Sequence, residues 1–150
     1  MPFLRRNLHA AHAILRPSLK ELSLALVDDE QMSLLHQRFM NIAGPTDVLT
    51  FPLEFDAMDQ TTAGEVIVCV PEAIRQSKIR GIQVKHELLL YALHGMLHLC
   101  GFDDRTPAAF RKMHAMEDEI LTRLGLGPVF APPTASSPRA RSGRRSSSGV

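Results

Sequence analysis

Apolar side chains recur along this chain with two periods, and the switches between them mark out the elements. Phe3 to Leu15 has helical spacing closed by Pro17, and Glu21 to Val27 (ELSLALV) alternates like a half-buried strand. Asp28 and Asp29 offer a cap, predicting a helix from about Glu30 to Asn41 that ends at the breaker run Ala43-Gly44-Pro45. Asp47 to Leu53 (DVLTFPL) reads as a strand that Pro52 confines to an edge or a strand end. Gly64 to Val70 (GEVIVCV) is the clearest strand, stopped by Pro71, which opens a helix running to Arg80 and closed by Gly81. Residues 84 to 100 form a long apolar helix terminated by Gly101, and Thr106-Pro107 caps a last helix to Leu124. There is no internal repeat. The expected fold class is α+β, a single domain in which a small mixed sheet packs with helices.

Composition narrows this without changing it. The chain has 150 residues and a mass of 16.6 kDa, enough for one domain with one core. With 45% hydrophobic and 22% charged residues, wholesale disorder, a collagen-like chain and a disulfide-stapled miniprotein are set aside. The N-terminus is not expected to be a secretory leader, and Cys69 and Cys100 then point to reduced thiols, a cytoplasmic setting and no disulfide-linked partner. No segment approaches the roughly 20 apolar residues of a membrane helix.

Charge is split along the chain. Residues 1–130 carry 13 basic and 16 acidic side chains, whereas 131–150 carry four arginines and no acid. Fifteen of those last twenty residues are Ser, Pro, Gly or Arg, so 131–150 is expected to be a disordered tail behind a domain spanning 1–130. Such a tail either attracts polyanions or is an inconsequential solvated appendage.

Candidate chemistry is concentrated in the run from His94 to Asp104, HGMLHLCGFDD. Histidines at i and i+4 project from one helical face, close enough to grip one metal ion. With His94 at zero, Glu87, His98 and Tyr91 fall at about 20, 40 and 60 degrees, while nearly every other position of the helix is apolar. A polar stripe on so buried a helix must be satisfied, because an unpaired buried polar group costs about 1–3 kcal/mol. Gly101 can reverse the chain and return Asp104 to the histidine face as a third ligand. The spacing His-x3-His-x5-Asp is that of the long zinc-peptidase motif, so the helix is expected to be zincin-like. Those peptidases place a glutamate general base directly after the first histidine. Here that position is Gly95, which disfavours peptide hydrolysis. Glu87 and Tyr91 share the stripe and are candidates for orienting an imidazole.

HGMLHLCGFDD resembles the His-Gly-x-Leu-His-Leu-x-Gly-Tyr-Asp-His signature of the YbeY endoribonucleases, metal-dependent ribosomal RNA maturation proteins of bacteria. Pro45 to Pro52 (PTDVLTFP) is similar to that family's PTDVLSFP, Gly64-Glu65-Val66 to its Gly-Asp-Ile strand, and the last helix fits through Met113, Glu117, Glu119 and Ile120-Leu121. The likeness covers roughly residues 20 to 127. Three departures accompany it. Asp104 stands where the family has a third histidine, Met40 follows Phe39 where the family has an arginine, and the chain begins too close to its first helix to hold the family's preceding strand.

The resemblance implies a zinc-dependent endoribonuclease with one divalent ion per chain. It would be specific for single strands and act at the 3′ end of small-subunit ribosomal RNA and in ribosome quality control. Its ligands would be His94, His98 and Asp104. Its partners would be ribosomal RNA and the small ribosomal subunit, with no membrane. Asp103 is a candidate proton carrier, with the alternative that it bonds backbone amides in a turn. Arg75, Lys78, Arg80 and Lys85 are candidate RNA contacts or a solvated polar face, and Arg38 is a candidate replacement for the missing arginine. The anionic Asp104 lowers the site's net charge by one, which should make a bound water less acidic. Two other readings stay open: a non-catalytic ribosome-assembly or RNA-binding factor with a weakened site, and a metallohydrolase of another substrate.

Overall fold

The structure, a computed structural model, describes residues 2–126 apart from 43 and 45. Its elements run α1 (Pro2–Leu15), β1 (Glu21–Val27), α2 (Asp29–Met40), β2 (Val48–Phe55), β3 (Thr61–Cys69), α3 (Val70–Arg80), α4 (Val84–Leu99) and α5 (Pro107–Arg123). The strands form one mixed sheet in the order β1-β3-β2. β1 lies parallel to β3, with Leu24 opposite Val66, and β2 lies antiparallel to it, with Thr50 opposite Val66. The α+β expectation is thereby met. The tail expected at 131–150, and residues 127–130 before it, lie outside the described residues.

Two boundaries differ from the sequence pattern. β2 and β3 form a hairpin longer than the apolar runs suggest, extending to Phe55 and starting at Thr61. The cause is the turn. The Asp56 carboxylate accepts from the amides of Met58 at 2.9 Å and Gln60 at 3.0 Å, and Asp59 takes the left-handed conformation at φ 63. Closing the hairpin there pairs flanking residues that carry no apolar pattern of their own. β2 is an edge strand, where Pro52 leaves no ladder donor missing from a central position, and the register slips just after it.

Alternation along β3 divides the core. Val66 and Val68 face a large cluster with α1, α4 and α5, while Ile67 and Cys69 face a smaller one with Met32 of α2. α4 is the central element of the large cluster. Its residues Leu88, Leu89, Ala92, Leu93, Met96 and Leu97 are all buried. It lies so close to the sheet that a Cβ on Gly95 would stand 2.7 Å from Val66 Cγ1 and 3.0 Å from Thr50 Cγ2. Gly95, the position that separates this run from the peptidase motif, therefore has a packing reason to carry no side chain. No helix among the described residues is long and apolar enough to cross a membrane.

Candidate metal centre

The last turns of α4 carry His94 and His98, one turn apart, with Nε2 atoms 3.2 Å from each other. The helix ends at Leu99 with Cys100 as its cap, and Gly101 adopts φ 104, a conformation in which a side chain would be strained. The Phe102 amide donates back to Leu97 O at 3.0 Å, closing the terminus. This reversal returns the chain to the histidine face. Asp104 Oδ2 reaches 3.8 Å from His94 Nε2 and 4.0 Å from His98 Nε2. Among the described residues, these three form a group whose donor atoms all lie within 4.8 Å of one another.

A buried carboxylate from α5 stands on the far side of His94. Glu117 Oε2 lies 2.7 Å from His94 Nδ1, and Glu117 Oε1 lies 3.4 Å from His114 Nδ1. Burial disfavours a charged His94, but the Glu117 hydrogen bond and the charges of Glu117, Asp47 and Asp104 outweigh it and raise the imidazole above its ordinary value. Burial likewise pushes Glu117 toward protonation, yet its bond to His94 holds it below the usual carboxylate range. His98, half-buried and facing the charge of His94, is pushed down to about 4 by desolvation first and by that charge second.

The donor set fits a divalent metal. A neutral His94 that gives its Nδ1–H to Glu117 presents an Nε2 lone pair toward a second imidazole nitrogen and a carboxylate oxygen. Electron-rich atoms that face one another so closely call for a proton or a cation between them. The donor–donor separations of 3.2, 3.8 and 4.0 Å are short enough for one ion to bond all three.

The remaining candidates are scattered. Glu87 and Tyr91 are buried in α4 and interact with each other. Glu87 forms an ion pair with Arg80 Nε at 3.4 Å and interacts with the Tyr91 hydroxyl. Asp103 Oδ1 accepts the Arg105 amide at 3.1 Å, the turn role weighed for it above. Of the four expected RNA contacts, Arg75 is held by Asp29 and Glu72, each at 2.8 Å, and Arg80 by Glu87. Lys85 Nζ lies 4.7 Å from the centroid of the Phe3 ring, and Lys78 is exposed on α3. Arg38 is on α2 with its guanidinium 5.6 Å from the Phe39 ring centroid. Both cysteines are free. Burial pushes the Cys69 thiol up to about 12 and the Cys100 thiol up to about 11.

Two residues gained no site role from the sequence. Glu117 sits in the middle of the buried face of α5, between Met113 and Ile120-Leu121, and a lone acid in an apolar stripe is the signal that marks it. Asp47, just before β2, is half-buried and close enough for its charge to act on His94. Burial raises its carboxyl above the usual range.

Comparison with known proteins identifies the family. The family described as "Endoribonuclease YbeY" matches residues 4–125. A protein named "Endoribonuclease YbeY" from Thermobifida fusca is 41% identical over 110 residues, covering 69% of this chain and 71% of its own length. One of the same name from Acidothermus cellulolyticus is 39% identical over 115 residues, covering 69% of this chain and 70% of that protein. The solution structure of TM1509 from Thermotoga maritima superposes with a TM-score of 0.58 at 25% identity, covering 89% of this chain and 91% of that one. With the family matched along nearly its whole described length, this chain belongs to the endoribonuclease YbeY family.

Proposed function

We propose that this chain is a metal-dependent endoribonuclease that cleaves single-stranded RNA in maturing the 3′ end of small-subunit ribosomal RNA and in ribosome quality control, in the cytoplasm and in contact with the small subunit. The observation that carries the reading is the convergence of His94, His98 and Asp104 at the Gly101 reversal. Family membership supplies the substrate class. These three residues would hold one zinc ion. A zinc ion so held supplies a Lewis acid for a phosphoryl oxygen and a bound water of lowered pKa.

The chain's own groups do the rest. His94 and His98 offer neutral nitrogen donors, and Asp104 adds an anionic oxygen. The centre therefore carries one negative charge more than a three-histidine site would, and attracts a phosphodiester less strongly. The donors are only partly covered, with side-chain exposures of 23% for His94, 12% for His98 and 29% for Asp104, which leaves an RNA strand a route to the site. Trp is absent and Tyr occurs once, while Phe39, Phe55 and Phe110 among the seven phenylalanines are exposed.

The test pairs elemental analysis with nuclease assays on single-stranded RNA. About one metal ion per chain, cleavage abolished by chelator and by His94→Ala, and recovery when metal is restored are the expected results. RNA binding without cleavage by fully metallated protein would overturn the enzymatic reading.

A further inference from the structure

We infer that Glu117 is the positioning residue of this centre, the group that fixes the tautomer and ring plane of His94 so that Nε2 faces His98 and Asp104. The inference rests on reading those three residues as metal ligands and extends it to a residue on another helix. A carboxylate is acceptor-only when ionised, so at 2.7 Å it takes the hydrogen from Nδ1 and leaves Nε2 as the lone pair.

The setting argues against a packing role alone. Glu117 is 4% exposed on a face of α5 otherwise made by Met113, Ile120 and Leu121. Burying a carboxylate there is unfavourable unless it is bonded, and a leucine would pack against α4 without that penalty. Its two oxygens serve two histidines. Oε2 bonds His94, and Oε1 lies 3.4 Å from His114, whose ring packs against Phe110 at 4.2 Å between centroids with the planes tilted by 50°. His114 lies one turn before Glu117 on the same helix, so it steadies the carboxylate from the solvent side while the other oxygen stays aimed at His94. Carboxylates that orient a ligating imidazole in this way strengthen the ligand as a donor, and losing one weakens metal binding by roughly 10–100-fold.

The test uses the full chain, Glu117→Gln and Glu117→Asp. Glutamine keeps shape and an acceptor but not charge, whereas aspartate keeps charge and withdraws by one methylene. Circular dichroism and melting establish that each variant folds. Long-range proton–nitrogen spectra of the metal-free protein, recorded at a pH high enough for His94 to be neutral, read its tautomer, and competition of zinc with a chromogenic chelator reads affinity. Expected are a mixed His94 tautomer and roughly 10–100-fold weaker zinc binding in Glu117→Gln, with partial recovery in Glu117→Asp. Wild-type tautomer and zinc affinity within about twofold in Glu117→Gln would overturn the proposal, and so would equal loss of stability and affinity in both variants with an undisturbed tautomer. A wild type that binds no zinc would sink the metal reading, and the tautomer measurement would then decide by itself whether Glu117 sets the ring.

Discussion

Two buried glutamates at opposite ends of α4 have the same chemistry and different fates. Glu87 is fully covered, neither of its oxygens has a hydrogen-bond partner of good geometry, and its nearest cation is Arg80 Nε at 3.4 Å. Glu117, nearly as covered, bonds His94 at 2.7 Å. Glu87 shares a helical stripe with His94, but seven residues of helix separate them by about 10.5 Å along the axis. Glu117 lies far from His94 in sequence, on another helix, and reaches it because α5 packs against the end of α4. Angular position on one helix shows which face a side chain occupies. Which groups meet on that face depends on the partner helix.

The sharpest way to break this contrast is at the ligands themselves. His94→Ala removes a donor and the partner of Glu117 together, so metal content is expected to fall from about one per chain toward zero, with RNA cleavage lost. Glu87→Gln at the other end should keep full metal content by the same elemental analysis. Loss of metal in Glu87→Gln would show that the two ends of α4 are coupled and would restore Glu87 to the site.

Asp104 gives a graded version. Asp104→Ala leaves two imidazoles, and zinc affinity should drop by more than the roughly 10–100-fold expected for a residue that only orients a ligand. Asp104→His restores a neutral third donor. It is expected to keep one zinc per chain and to cleave RNA faster than wild type at neutral pH, because the centre loses one negative charge. Cleavage slower than wild type in Asp104→His, with zinc retained, would show that this chain has adapted to its carboxylate.

Between the two ends, Gly95 seats α4 on the sheet. A methyl group there meets Val66 Cγ1 at 2.7 Å, and Val66 is β-branched and cannot easily turn away. Overpacking of this kind costs about 1–3 kcal/mol, against roughly 1 kcal/mol gained from replacing glycine by alanine in a helix. Gly95→Ala should therefore lower the melting temperature by several degrees. Gly64→Ala should lower it less, since the clash at 2.7 Å is with the flexible tip of Leu99. The reverse order in thermal melts would mean that Leu99, not the sheet, sets the seat of α4.

These contrasts show what could be read from the chain and why. All eight elements among the described residues were legible, because each carries a period or a terminator: alternation in β1, Pro71 opening α3, Gly101 after α4. The ends of the β2–β3 hairpin were not, since Thr61 and Phe55 are paired by the Asp56 turn and not by their own pattern. At the site, His94, His98 and Asp104 lie within one local run whose turn chemistry is explicit. Glu117 and Asp47 come from other elements. Only the packing of α5 and the approach to β2 bring them in, and no periodicity within α4 encodes either.

The cations of α3 offer the smallest effect and a test of sign. Arg75 holds Asp29 on the surface, and that hydrogen bond lowers the Asp29 carboxyl from its ordinary value near 3.8 to about 2. A carboxylate lowered on folding contributes stability that is present above its unfolded value and disappears as pH falls through the folded one. This pair should therefore weaken the fold as pH drops from about 4 to about 2. Glu87 acts the other way. Burial raises its carboxyl from 4.5, so the folded state holds its proton more tightly, and its contribution is lost as pH rises through that raised value. Urea titrations across acid pH should show a smaller low-pH loss in Arg75→Ala than in wild type, and a smaller loss on raising the pH above 4.5 in Glu87→Gln. The first change is screened by salt, because Arg75 and Asp29 are exposed, whereas the second persists in high salt because Glu87 is enclosed.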